Sequence, residues 1–128
     1  MKHTIFLSLL VVLLSPLTTK ASEIEVIYTW STFMPLSIEG LPEVEAVCKA
    51  HNFKCTFVYD PYQSIDTLDP ELLPYAQSQD LSDELIEKGI LNHFPGIAVL
   101  EDGQILGNIH LGYLEPETLE WVILRRLQ

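Results

Sequence analysis

Sulfur is scarce in this chain: 128 residues contain two cysteines, Cys48 and Cys55, and no CxxC anywhere. Thiol exchange needs an activated thiolate with a second sulfur at hand, so the usual redox motif is excluded. Bases are also few. Seven lysines and arginines stand against 18 aspartates and glutamates, which argues against nucleic acid and anionic lipid headgroups as partners. His51, His93 and His110 lack the short spacings of a zinc ligand set, so no metal and no cofactor is expected. Only one long apolar run exists, Ile5 to Leu14, interrupted by Ser8. It is shorter than the about 20 residues that span a bilayer.

That run has the grammar of an export signal. Lys2 and His3 make a basic start, Pro16 breaks the run, and Thr19-Lys20-Ala21 puts small residues at the −3 and −1 positions of a cleavage site after Ala21. With no cysteine nearby, a bacterial lipoprotein anchor is not expected. Residues 1–21 are therefore read as a secretory signal, and 22–128 as one domain in the periplasm or outside the cell, with no stable membrane span after cleavage. All 18 acids stay in that domain while Lys2 and Lys20 leave, giving a net charge of −13. Such a chain repels copies of itself or offers an acidic face to a basic partner. In an oxidising compartment an even cysteine count favours a Cys48–Cys55 disulfide; two buried thiols and a displaced redox pair are the alternatives.

Val26, Ile27, Tyr28 and Trp30 are β-branched or aromatic and read as a buried strand. It turns at Ser31 to Leu36 and feeds a helix bearing Pro42, with Leu41, Val44, Val47 and Cys48 on one stripe and Asn52 as a left-handed stop. Cys55 to Tyr59 is a second strand, and strand, helix, strand in this order demands a right-handed crossover between parallel strands. Asp60-Pro61 ends it. From Asp60 to Asp80 three prolines and five acids interrupt any pattern, with a short helical piece expected at Pro70 to Tyr75 behind Asp69. Ser82 caps a helix to Lys88 with Leu85 and Ile86 inward, stopped by Gly89. Ile97 to Leu100 is a strand, Glu101-Asp102-Gly103-Gln104 a tight hairpin, and Ile105 to Leu111 its return. Glu115 to Leu127 closes the chain as an amphipathic helix with Leu119, Val122, Ile123, Leu124 and Leu127.

On these residues the chain resembles the thioredoxin-like fold superfamily, from Glu25 to Leu127. In that family the first central strand runs into a WCGPC-like turn at a helix start, with a proline further on. Laid against that pattern, Phe33 falls on the tryptophan, Met34 and Ser37 on the two cysteines, Pro35 and Leu36 between them, and Pro42 on the helix proline. Pro95 matches the family's cis-proline and Gly112 its terminal glycine, while Gly96 departs from the usual threonine. The resemblance implies an α/β fold, a central mixed sheet flanked by helices, with 60–80 as an acidic, proline-rich insertion. It also implies a scaffold without the redox pair.

Under that reading Phe33, Met34, Pro35, Leu36 and Ser37 lie beside His93, Phe94, Pro95 and Gly96, and an exposed apolar patch of this kind marks an interaction site. The alternative is that segment 60–80 folds over these side chains. Ser37 with His93 as base would be a nucleophile only with an orienting acid, which the sequence does not place; a helix-capping serine is the plainer role. The leading expectation is an exported, noncatalytic protein that binds another exported protein or an extended peptide. Its setting by analogy is a periplasmic assembly or scaffold factor of a conjugation or pilus system. An oxidoreductase using Cys48 and Cys55 and a homodimer closing through the apolar loops are the competing readings.

Overall fold

The computed structural model describes residues 22–89 and 93–128; the stretch 1–21, expected above to be an export signal, and Asn92 lie outside them. Strand β1 (Ile24–Trp30) leads to helix α1 (Pro35–His51) and strand β2 (Lys54–Tyr59). Two 3-10 turns, Ile65–Thr67 and Pro70–Tyr75, precede the short helix α2 (Asp83–Glu87). Strands β3 (Gly96–Glu101), β4 (Gln104–Ile105) and β5 (His110–Leu111) and helix α3 (Pro116–Arg125) complete the chain. The sheet is mixed: β1 pairs parallel with β2 and antiparallel with β3, and β4 and β5 both pair antiparallel with β3. The parallel pair joined through α1 is the crossover expected from the sequence.

Strand alternation builds two unequal cores. Val26, Tyr28 and Trp30 of β1 and Ile97 and Val99 of β3 face the main core, where Leu41, Val44, Val47 and Cys48 of α1 meet Leu119 and Ile123 of α3. The opposite face is thin: Ile27, Val58, Ala98 and Leu100 are covered by Leu85 of α2. Ile86, expected inward, is exposed, because a helix of five residues has room for one inward position only.

Segment 60–80 does not lie over the helix-start loop. Ile65, Leu68, Leu72, Tyr75 and Ala76 pack into the main core, and the Trp30 indole donates to the Tyr75 carbonyl at 2.7 Å. The chain then runs beside β2, with Tyr59 N–H donating to Ser78 O at 2.9 Å. An open strand edge is thereby shielded. Pro70–Tyr75 is helical as expected but 3-10 in type, and Asp69 makes no side-chain cap.

The hairpin turn has Asp102 at φ 49° and Gly103 at φ 84°, two left-handed positions in succession, the signature of a type I′ turn. The return strand is broken. Leu100 pairs with Ile105 and Ile97 with His110, so three steps along β3 face five along the return. The extra residues bulge outward around Gly107, at φ 62°.

Candidate functional site

The site is built where β1 ends. Trp30 and Ser31 are fully buried, after which the chain surfaces: Phe33 is 70% exposed, Met34 46% and Leu36 52%. A β-strand cannot run directly into a helix without a turn, and this one is tied internally. Met34 N–H donates to Ser31 O at 3.0 Å, and Phe33 N–H to the Ser31 hydroxyl at 3.2 Å. Pro35 opens α1, where a missing N–H costs nothing.

Ser37 belongs to the tie and not to the surface, which corrects its expected place among the binding residues. It is fully buried; its hydroxyl lies 2.9 Å from Ser31 O and 2.6 Å from Met34 O and accepts from Ser31 N–H at 3.0 Å. It is not the helix cap either, since Met34 holds that position. With its oxygen saturated and shut off from solvent, it has no nucleophilic role. The Ser31 hydroxyl in turn donates to Asp60 Oδ2 at 2.8 Å, and Tyr62 N–H to Asp60 Oδ1 at 2.9 Å. Asp60 is therefore a buried carboxylate satisfied by hydrogen bonds, and it anchors the turn to the end of β2.

The second loop is fixed to β1 by Thr29. This fully buried hydroxyl lies 3.4 Å from His93 O and accepts from Gly96 N–H at 2.9 Å. The Phe94–Pro95 bond between them is cis. Pro95 O accepts from Gly112 N–H at 2.8 Å, so the backbone just after the proline is engaged within the fold. Pro95 and Gly96 are buried, a second correction: they shape the loop, and what they present outward is not side chain. His93 is exposed and Phe94 half-buried.

The two loops meet in a groove of about 420 Å³ lined by Met34, His93, Phe94, Leu111 and Gly112, within the about 300–1,000 Å³ of ligand clefts. Phe33 and Leu36, exposed on the same turn as Met34, are not among its lining residues. Leu111, 40% exposed, was absent from the sequence-derived site; the pairing of Gly96 with Leu111 brings it in, and only the position of Gly112 hinted at it. A larger hollow of about 570 Å³ lies between α1 and α3 against Pro42, Ala46, Val47, Ala50 and Pro116 and holds none of the nominated residues.

The expected Cys48–Cys55 disulfide is not formed in the structure: both are free thiols, Cys48 buried and Cys55 half-buried. They sit together across the α1–β2 contact. A hydrogen bond to Cys48, then burial, then the nearby Glu45 and Glu25 charges, push the Cys55 thiol far above its usual range. Such a sulfur is a poor nucleophile at neutral pH. The three histidines are dispersed: His51 stacks on Phe53 at the end of α1, His93 lies in the groove and His110 is half-buried on β5. Desolvation and the Arg126 charge lower the His110 pKa against a smaller opposing backbone hydrogen bond.

No family model and no curated protein matches the chain. Solved structures do. The pneumococcal exposed lipoprotein thioredoxin of Streptococcus pneumoniae superposes with a TM-score of 0.60 at 16% identity, covering 80% of this chain and 84% of that one. A thioredoxin-family thiol:disulfide interchange protein of Chlorobium tepidum gives 0.60 at 13%, covering 83% and 81%. The reduced N-terminal domain of PilB from N. meningitidis gives 0.55 at 14%, covering 80% and 79%. The chain has a thioredoxin-like fold. In this thioredoxin-like chain, Met34-Pro35-Leu36-Ser37 occupies the strand-to-helix turn and first helical positions after β1, and the cis Pro95 loop lies across from it.

Proposed function

We propose that this chain is an exported thioredoxin-like protein that binds an extended peptide segment or another exported protein in the groove between the Met34 and Phe94 loops, without thiol chemistry there. The observation that carries this is the exposure of Phe33, Met34 and Leu36 on a turn whose Ser31 and Ser37 hydroxyls are buried and hydrogen-bonded inward. Large apolar side chains held outward by a saturated hydrogen-bond network gain nothing for the fold, and they suit an interface. Methionine adapts to varied contacts. Thioether and buried hydroxyl stand where exchange chemistry would need two sulfurs. The setting we assign, a periplasmic or secreted assembly factor such as those of conjugation and pilus systems, follows from the fold resemblance and the signal-like segment.

Peptides selected from a random ten-residue library test the reading. Phe33→Ser with Leu36→Ser should weaken their binding at least about ten-fold, the loss of two apolar contacts. Cys48→Ser with Cys55→Ser should leave it unchanged. Catalysed reduction of a disulfide substrate by the wild type, abolished by the double serine variant, would refute the noncatalytic reading in favour of an oxidoreductase using the displaced pair.

A further inference from the structure

The two thiols lie far from the groove. Cys48 is 14 residues past Met34, about 21 Å along the α1 axis. Register fixes where Cys55 points. It pairs with Val26 on β1, as Phe57 pairs with Tyr28 and Tyr59 with Trp30, and Val26, Tyr28 and Trp30 face the main core beneath α1. Neighbours in register share a face of the sheet, so Cys55 is turned toward the helix. Cys48 meets it from the other side: it is 3% exposed, within the same core against which Cys55 packs. The reversal between them is short. Phe53 N–H donates to Cys48 O at 2.9 Å and Asn52 takes a left-handed φ of 57°, which brings the start of β2 back beside the last turn of α1. Of the influences that push the Cys55 thiol above its usual range, Cys48 is the foremost. Of the two residues only Cys55 lines a surface hollow, about 350 Å³ in volume and shared with Lys54, Phe57, Pro74 and Ser78.

We infer that Cys48 and Cys55 are a disulfide-forming pair: the structure holds its reduced state, and exchange with an external disulfide closes it into a staple between the last turn of α1 and β2. Cys55, the reachable sulfur, gives up its proton and attacks one sulfur of the external disulfide. That S–S bond breaks, one thiolate leaves and a mixed disulfide forms on Cys55. Cys48, deprotonated in turn, attacks the Cys55 sulfur and expels the second thiolate. The two departing thiolates take up the two protons, so two protein thiols are oxidised and the external disulfide is reduced to two thiols. Because Cys48 is buried in the finished fold, the refolding chain is the state in which exchange meets both sulfurs. The staple is structural and stands whether or not the groove binds peptides.

The test refolds the purified full chain from urea with a mixture of oxidised and reduced glutathione, quenches with acid, alkylates in denaturant and reads the products by mass. The expected product is a monomer that takes no label and has lost two hydrogens. Urea melts then compare this form with the same chain kept in reductant. Closing the eight-residue loop from Cys48 to Cys55 should lower the unfolding equilibrium constant on the order of 50-fold, the loop entropy taken from the unfolded chain. Both arms use the wild-type sequence, so neither depends on a variant that folds. Cys48→Ser/Cys55→Ser is the control, and its melt should be the same with and without glutathione. A chain that keeps both thiols, stops at a glutathione adduct or links only between copies overturns the inference. So does an oxidised form no more stable than the reduced one, or a redox-dependent melt in the double serine variant.

Discussion

Gly40 shows how closely the site is tied to the main core. The Tyr28 hydroxyl reaches past it to donate to Ser37 O at 2.7 Å, and a Cβ at position 40 would fall on that hydroxyl. Burial, with the Glu43 charge, raises the Tyr28 phenol far above its usual range, so it remains a donor. Gly40→Ala should lower unfolding free energy by about 1–3 kcal/mol in urea melts, the penalty of overpacking plus a lost buried hydrogen bond. Adding Tyr28→Phe should recover part of that loss, because the clashing atom is gone; strict additivity would show the contact to be unimportant. Ser37→Ala should cost about 1–3 kcal/mol by leaving Ser31 N–H buried and unpaired. Neither Ser37's burial nor the Thr29 and Asp60 ties were legible in the sequence. Hydrogen bonds between residues 29 and 96, or 31 and 60, leave no periodic trace, and Asp60 read only as the acid that ends a strand.

Elements were more legible than their ties. The run Val26 to Trp30, the apolar stripe of α1, Asn52 at φ 57°, the Ser82 cap and the Asp102-Gly103 turn each carry local signals that the fold obeys, and Pro95 is cis as its position suggested. Segment 60–80 was obscure because its prolines hide any period, and its order comes from packing on Trp30 and β2. The broken return strand was missed for a similar reason, since a bulge depends on its partner strand. At the α1–β2 contact Cys48 and Cys55 sit together as free thiols, Cys48 buried and Cys55 half-buried. Native alkylation at pH 8 should be at least about 100-fold slower than in denaturant, since burial and a raised pKa both deplete accessible thiolate. Rapid native labelling of Cys55 would contradict this environment and revive a redox role.

For the molecule as a whole, Cys55, Tyr28 and His110 each make stability depend on pH. Cys55 and Tyr28 have folded pKa values raised above the ordinary 9.0 and 10.0, so their contribution is complete below pH 9 and erodes as pH rises past those values. His110 is lowered from 6.5; its neutral form is favoured by folding, so its contribution holds above pH 6.5 and is lost as pH falls through that value toward the folded one. Thermal melts should therefore show a plateau between about pH 6.5 and 9 that declines on both sides. Added salt should raise the midpoint by screening the excess of acids. The most direct check of groove binding is a proton–nitrogen NMR titration of the Cys48→Ser/Cys55→Ser protein with a library-selected peptide. The expected perturbations centre on Phe33, Met34, Leu36, Phe94 and Leu111. Perturbations centred on β2 and the C-terminal turn of α1, or binding that vanishes with the thiols, would contradict it.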